Sequence, residues 1–503
     1  MLVFLLAYYA QTASGSPIAS TALVIPSNIT FAFSTPAALQ STDSGRTLYN
    51  IIWSSLATIF ACVWTAVHRN IAGPSQGRLS RFLDMFGVVV ASLLTPEWVL
   101  AGAFRQYLNA RSLSKELEAA RGEAVKVWEA KRRSLRQGRL NEGRRGTSES
   151  KDLSTDVVDE VKEKDVASLS RRTKLASSPG DEVDGEDLTP VESTLELEDG
   201  IGRLEGKWTA RHGFFIIMGG FHYYKDGRPL FPLSRHDVIE LVKTGDLVLP
   251  TDDEIRGWSQ ADTLSKLIAI IQTLWFVVQC IARRVEGLPI AQLEIMTLAY
   301  TTIAIVMYMC WWYKPLNVSS PVRVAAKRLP DPVPVEHRLP FLFALEIIMG
   351  TADRLVDMRQ EAYVPPFYTG GVSGGPPINS ADVFSGGIAV IAAMVFGAVH
   401  CAAWNYVFPS TVERRIWRVG AAIIVAAPGA MAIAAFLAVS MHSRGGVVRR
   451  VGDISLAAVF TICGPLYVAA RLLLLVLSFT TLRALPPGAF QAEQWTLKIP
   501  HFT

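Results

Sequence analysis

The chain has 503 residues, 50% of them hydrophobic, with a formal net charge of +4 and a mean hydropathy of +0.27. So small a net charge excludes the strongly basic footprint of a nucleic-acid partner, and the positive hydropathy is foreign to ordinary soluble domains of this length. The five cysteines (Cys62, Cys280, Cys310, Cys401, Cys463) lack any Cys-x-x-Cys spacing, which argues for free thiols rather than a zinc site or a disulfide framework.

Met1 to Ala10 is apolar and runs into small polar residues, a signal-like segment over residues 1–15 that lacks the usual basic start. Residues 16–47 are rich in Ser, Thr, Pro and Ala and carry the glycosylation acceptor Asn28-Ile29-Thr30. They read as a lumenal or extracellular tail of a protein in the secretory pathway or plasma membrane. Leu48–Val67 then opens a series of apolar stretches of membrane-spanning length. The others are Leu264–Cys280, Ile290–Trp312, Val383–Val407, Val419–Met441 and Ile454–Phe479. About 20 mostly apolar residues cross the hydrocarbon core. The expected fold class is all-α: a polytopic helical membrane protein with about six or seven transmembrane helices. Its environmental partner is the lipid bilayer.

Residues 48–104 hold the first span and a second apolar stretch, Phe82–Phe104, with Arg69, Arg78 and Arg81 before it and the basic run Arg105 to Arg145 after it. The positive-inside rule puts both basic flanks in the cytosol. Asp84, Gly87, Pro96 and Glu97 interrupt the stretch, and proline removes a helix hydrogen bond. A re-entrant or interfacial hairpin satisfies both facts, whereas a plain crossing would invert everything downstream.

Residues 105–206 read as a charged, largely disordered cytosolic block. Its Leu108 to Leu140 portion spaces Glu and Arg/Lys as a solvated helix does, and Thr147 to Gly202 is too polar to bury a core. Residues 207–261 read as a cytosolic or interfacial unit: the apolar run after His212 is too short to cross, and Ser234 caps a helix over Arg235–Lys243 that stops at Gly245-Asp246. Residues 262–313 make a helical pair, 314–382 a loop with one acidic helix at Phe341–Glu361, 383–482 a three-span bundle and 483–503 a tail. Six crossings would leave both termini on one side.

The phrases Asn50 to Trp64, His212-Gly-Phe-Phe-Ile-Ile-Met-Gly-Gly-Phe221, Trp311-Trp-Tyr-Lys-Pro-Leu316 and the ending Ile499-Pro-His501 resemble a large family of mostly uncharacterised fungal multi-pass membrane proteins. The resemblance implies architecture and no reaction.

Ionisable groups at membrane depth are the first functional candidates. Glu97 follows Pro96 in the hairpin. Glu294 near a helix start reads either as a proton-transfer group or as an acid favoured by the helix dipole. Arg471 interrupts the last apolar run and either snorkels or pairs with Glu97 or Glu294. His212, His400, Trp404 and Arg471 are candidate pocket residues. Asp353, Asp357 and Glu361 are four apart on one helical face, and three stacked carboxylates suit Mg²⁺ held with substrate phosphates. The stripe looks like the Asp-rich motifs of membrane prenyltransferases, although their second motif is missing; Arg354 and Arg359 would make it an ordinary solvated face. On these residues the chain reads first as an intramembrane enzyme on a lipidic, isoprenoid-like small molecule, with Glu97, Glu294, Asp353 and Asp357 catalytic. A transporter or channel and a non-catalytic sensor or scaffold are the alternatives.

Overall fold

The computed structural model describes residues 45–149, 203–204, 206–259, 262–325, 356–371, 380–442 and 444–492. The chain is mostly helical. Among the described residues, five helices are long and apolar enough to cross a membrane, or up to six if a bent pair counts as one span. These are α7 (Asp262–Val285), α8 (Gln292–Cys310), α9 (Ser380–Cys401), α10 (Thr411–His442) and α11 (Gly446–Thr480). The upper figure meets the lower end of the expected six or seven; α1 (Leu48–Phe60) with the π-turn Ala61–Thr65 that prolongs it, expected as the first span, is shorter than these five.

The post of the bundle is α8, 72% of whose apolar window is buried, against 33% or less for α7, α9, α10 and α11. A helix apolar on every side belongs in an interior. The others expose large apolar side chains such as Ile271, Ile391 and Phe436, an outside compatible with lipid. Small residues let the outer helices approach closely. A Cβ on Gly397 of α9 would lie 2.9 Å from the Val425 backbone nitrogen of α10, the close packing favoured between helices without a hydrophobic drive.

The bent pair is α2 (Arg78–Leu94) and α3 (Pro96–Glu149), whose axes differ by 112°. Thr95 leaves the helical region with ψ 55 before Pro96 starts the next helix, as a pre-proline residue tends to do. Asn70 before the pair and Gln106 within α3 both accept from the Lys314 amine at 3.0 Å. Asn70, ahead of the pair, and Gln106, in its second helix, therefore lie side by side. At 54 residues, α3 then continues as one helix through Glu149, about 80 Å at 1.5 Å per residue. The helix expected at Leu108 to Leu140 is the middle of this longer rod.

A compact unit packs on α3. It contains α4 (Ala210–Ile217), strands β1 (Phe221–Lys225) and β2 (Arg228–Pro232), α5 (Arg235–Thr244) and α6 (Asp252–Trp258), with β3 (Val322–Val324) added parallel to β1 after α8. The sheet corrects the all-α expectation. Its hairpin turns on Asp226 and Gly227, both at positive φ, the conformation for which Asp-Gly is a strong signal. Ser234 caps α5 through a capping box with Asp237, and Gly245 closes it at φ 76, matching the sequence expectation closely. The apolar run after His212 is largely core: Phe214 and Phe215 of α4 are buried, and Met218 just after it lines a cleft. A Cβ on Gly213 would lie 2.2 Å from the Ala110 carbonyl oxygen, so only glycine permits this approach.

The bundle has two ends. At one, which we call the tail face, the Arg46 backbone N–H donates to the Phe490 carbonyl at 2.7 Å and Arg283 donates to the Ala489 carbonyl at 3.1 Å. Gln292 there reaches the Val407 carbonyl at 3.0 Å. At the other, the unit face, Lys266 donates to the Lys314 carbonyl at 3.0 Å and Arg105 pairs with Asp382 at 3.2 Å. Residues 46 and 490 thus lie together on one side. All five cysteines are free.

Candidate functional site

A concentration of buried polar groups forms a hub on the unit face. Lys314, 1% exposed, donates to the His68 carbonyl at 2.5 Å, to Asn70 Oδ1 at 3.0 Å and to Gln106 Oε1 at 3.0 Å. Trp311 Nε1 donates to the same Gln106 Oε1 at 2.8 Å, and its ring lies 5.2 Å under the Lys314 amine. Gln106 Nε2 donates in turn to the Tyr368 carbonyl at 2.6 Å. Burial, followed by the nearby Lys266 charge, pushes the Lys314 amine well below the ordinary lysine range. Three acceptors, a full set for an ammonium, oppose that push. Burial and then Lys266 likewise push the His68 imidazole well below its usual value. His68 Nδ1, 3.0 Å from the Ala66 carbonyl, accordingly carries the proton of a neutral ring.

Beside the hub, sharing Asn70 as a wall, opens a cleft of about 260 Å³ between α2, the segment after α1 and residues 363–366. Besides Asn70, the polar lining is Arg69, Arg81, Asp84, Gln76, Asn317 and Tyr363, and Ile71, Met218 and Val364 are part of the apolar lining.

A second polar cluster lies inside the bundle. Arg471 of α11 pairs with Glu97 at 2.6 Å, both nearly inaccessible, and also donates to Tyr467 Oη at 3.0 Å. The Phe396 ring lies 3.8 Å from the guanidinium carbon. Tyr300 Oη donates to the Leu93 carbonyl at 2.5 Å, tying the hairpin bend to α8. Glu97 Oε1 and Arg471 Nη2 are buried without a partner among the described residues.

The remaining sequence candidates lie apart from both clusters or serve structure. Glu294 sits in the first turn of α8, where it accepts from the Ala291 N–H at 2.8 Å and pairs with Arg46; of its two readings, the helix-start acid fits this geometry. His212 closes the start of α4: its Nδ1 accepts from the Thr209 N–H at 3.0 Å and its Nε2 donates to the Pro250 carbonyl at 3.0 Å. His400 is in the last turn of α9 rather than mid-span, with Nδ1 2.7 Å from the Phe396 carbonyl and Nε2 3.3 Å from Met296 Sδ. Trp404 lies in the turn after α9, exposed, with the Arg418 guanidinium 5.2 Å over its ring. Asp353 is outside the described residues. The expected acidic helix does not extend to its predicted end: Asp357 is extended and caps a single 3₁₀ turn, Met358–Gln360. Proline-rich chain follows within a few residues, and a residue before proline avoids the helical region. Asp357 and Glu361 are consequently not i,i+4 neighbours on an α-helical face. Among the described residues, no three His, Cys, Asp or Glu side chains gather as a metal-holding group.

A model of a family of unknown function, DUF8562, matches residues 19–143, 193–382 and 378–502. The chain belongs to this family. No curated protein and no solved structure matches it. The DUF8562 match encloses the hub, the cleft and the Glu97–Arg471 pair alike. Sequence reasoning passed over Lys314, Gln106 and Asn70, although Lys314 stands inside the quoted phrase Trp311-Trp-Tyr-Lys-Pro-Leu316. A lysine just past a span reads as a surface charge, and nothing local says that three distant acceptors enclose it.

Proposed function

We propose that this DUF8562 protein is a non-catalytic membrane sensor or scaffold, with its unit face in the cytosol and α2–α3 as a re-entrant hairpin. One observation carries the reading. The described membrane-depth groups that could do proton chemistry are already engaged: Glu97 by Arg471, Glu294 by Arg46 and a backbone N–H, His400 by a carbonyl and a thioether. A general acid or base needs a position open to substrate. The remainder of the fold suits display: the unit clamps α3 through buried Leu113, Leu117, Ala120 and Ala124, beyond which the rod exposes Lys131, Arg133 and Arg136.

The enzyme reading keeps one support, the unpartnered Glu97 Oε1. Incubating the purified chain with prenyl diphosphates and Mg²⁺ discriminates the two. No product is expected; turnover that disappears in Asp357→Asn or Glu97→Gln would replace the scaffold reading with the enzyme.

The topology has its own test. Asn28 is expected to carry a glycan, and Asn317, in the Asn-Val-Ser acceptor on the unit face, is not. Asn317 is exposed in the structure, so its lack of a glycan reports the side of the membrane rather than burial. Modification of Asn317 would turn the bundle over.

A further inference from the structure

The cleft beside the hub is chemically one-sided. Arg69 and Arg81 face a single carboxylate, Asp84. That carboxylate is already occupied: Gln76 Nε2 donates to it at 2.5 Å and the Tyr363 hydroxyl also donates to it. Among the described residues, the Arg81 guanidinium reaches only the Gly73 carbonyl, at 3.4 Å. Arg69 is exposed and has no hydrogen bond or ion pair among the described residues. Two exposed guanidinium groups lining one cleft are free to take an anion, and guanidinium pairs with phosphate through two parallel hydrogen bonds. Ile71, Met218 and Val364 in the same lining offer carbon rather than charge.

Size narrows the occupant. At about 30 Å³ per water, 260 Å³ holds a phosphate with a short carbon body. Position favours a membrane source. The face of α2 away from the cleft exposes Leu79, Phe82, Leu83 and Phe86, one helical stripe, as an interfacial helix does at the level of lipid headgroups.

We propose that this cleft binds the phosphate monoester of a small anionic amphiphile, with Arg69 and Arg81 on the phosphate and the apolar wall on its carbon body. The site goes beyond the scaffold reading and does not depend on it, since a catalytic chain could hold the same ligand. A glycerolipid headgroup and a soluble phosphate ester share this chemistry, and the experiment separates them.

The purified full chain in neutral detergent is titrated with dioctanoyl phosphatidate, dioctanoyl phosphatidylcholine and glycerol 3-phosphate, and binding is followed by calorimetry and by melting temperature. Phosphatidate is expected to bind and raise the melting temperature, as any ligand selective for the folded state must; net-neutral phosphatidylcholine is not. Arg69→Gln and Arg81→Gln should each weaken phosphatidate about tenfold, the loss of one charge-assisted contact. Both side chains make little contact with the protein, so the variants should fold. Arg78→Gln, on α2 but outside the cleft, removes the same charge and should leave affinity unchanged. Equal affinity for glycerol 3-phosphate would keep the site and assign it to a soluble ester. Binding of neither phosphate, or equal affinity in all three variants and the parent, would overturn the proposal.

Discussion

Arg471→Met is expected to lower the stability of the bundle by about 3–5 kcal/mol, the usual cost of stranding one partner of a buried ion pair. The variant leaves the Glu97 carboxylate buried at the hairpin bend, without the guanidinium that bonds it at 2.6 Å. It also removes the cation from the Phe396 ring and from Tyr467 Oη. The double replacement Glu97→Met with Arg471→Met should recover most of the loss, because buried pairs replaced by apolar residues of similar volume are often neutral or better. A double-mutant cycle on detergent melting temperatures measures the coupling. A single variant that melts like the parent would show that the pair does not hold the hairpin to α11.

Lys314→Met should cost about 3 kcal/mol or more, since it leaves the His68 carbonyl, Asn70 Oδ1 and part of Gln106 Oε1 without their donor. The three acceptors come from the segment after α1 and from α3, whereas Lys314 follows α8. Loss of the amine therefore loosens the junction of hairpin, bundle and unit together. Methionine keeps the length and apolar stem, so the effect isolates the amine. The expected result is a lower melting temperature with faster protease cleavage of the linker around Arg69. Parent-like melting and cleavage would mean that the acceptors find water in place of Lys314.

Local signals were legible where local energetics decide the structure. Ser234, Asp237 and Gly245 bound α5 because a capping box and a left-handed C-terminal residue act within a few positions. Pro96 marked the bend for the same kind of reason. Asp226-Gly227 was an equally local signal for a strand hairpin and went unread among the surrounding apolar residues. The acidic stripe failed in the opposite way: a spacing of four implies a shared face only where a helix exists, and Val356 to Glu361 forms an extended stretch and one 3₁₀ turn instead.

By itself, then, the sequence determined the abundance of apolar helices, the break at Thr95 and Pro96, and the caps of the unit. Each follows from side-chain hydropathy or from backbone geometry over one or two turns. Only the tertiary structure decided that Glu97 meets Arg471 across 374 positions, that Glu294 meets Arg46 across 248, and that Lys314 sits among acceptors more than 200 residues away. It likewise decided that Arg69 and Arg81 share a cleft. A charge buried in a bundle must find its complement wherever packing brings one, and packing follows the fit of whole helix faces rather than the spacing of residues along the chain.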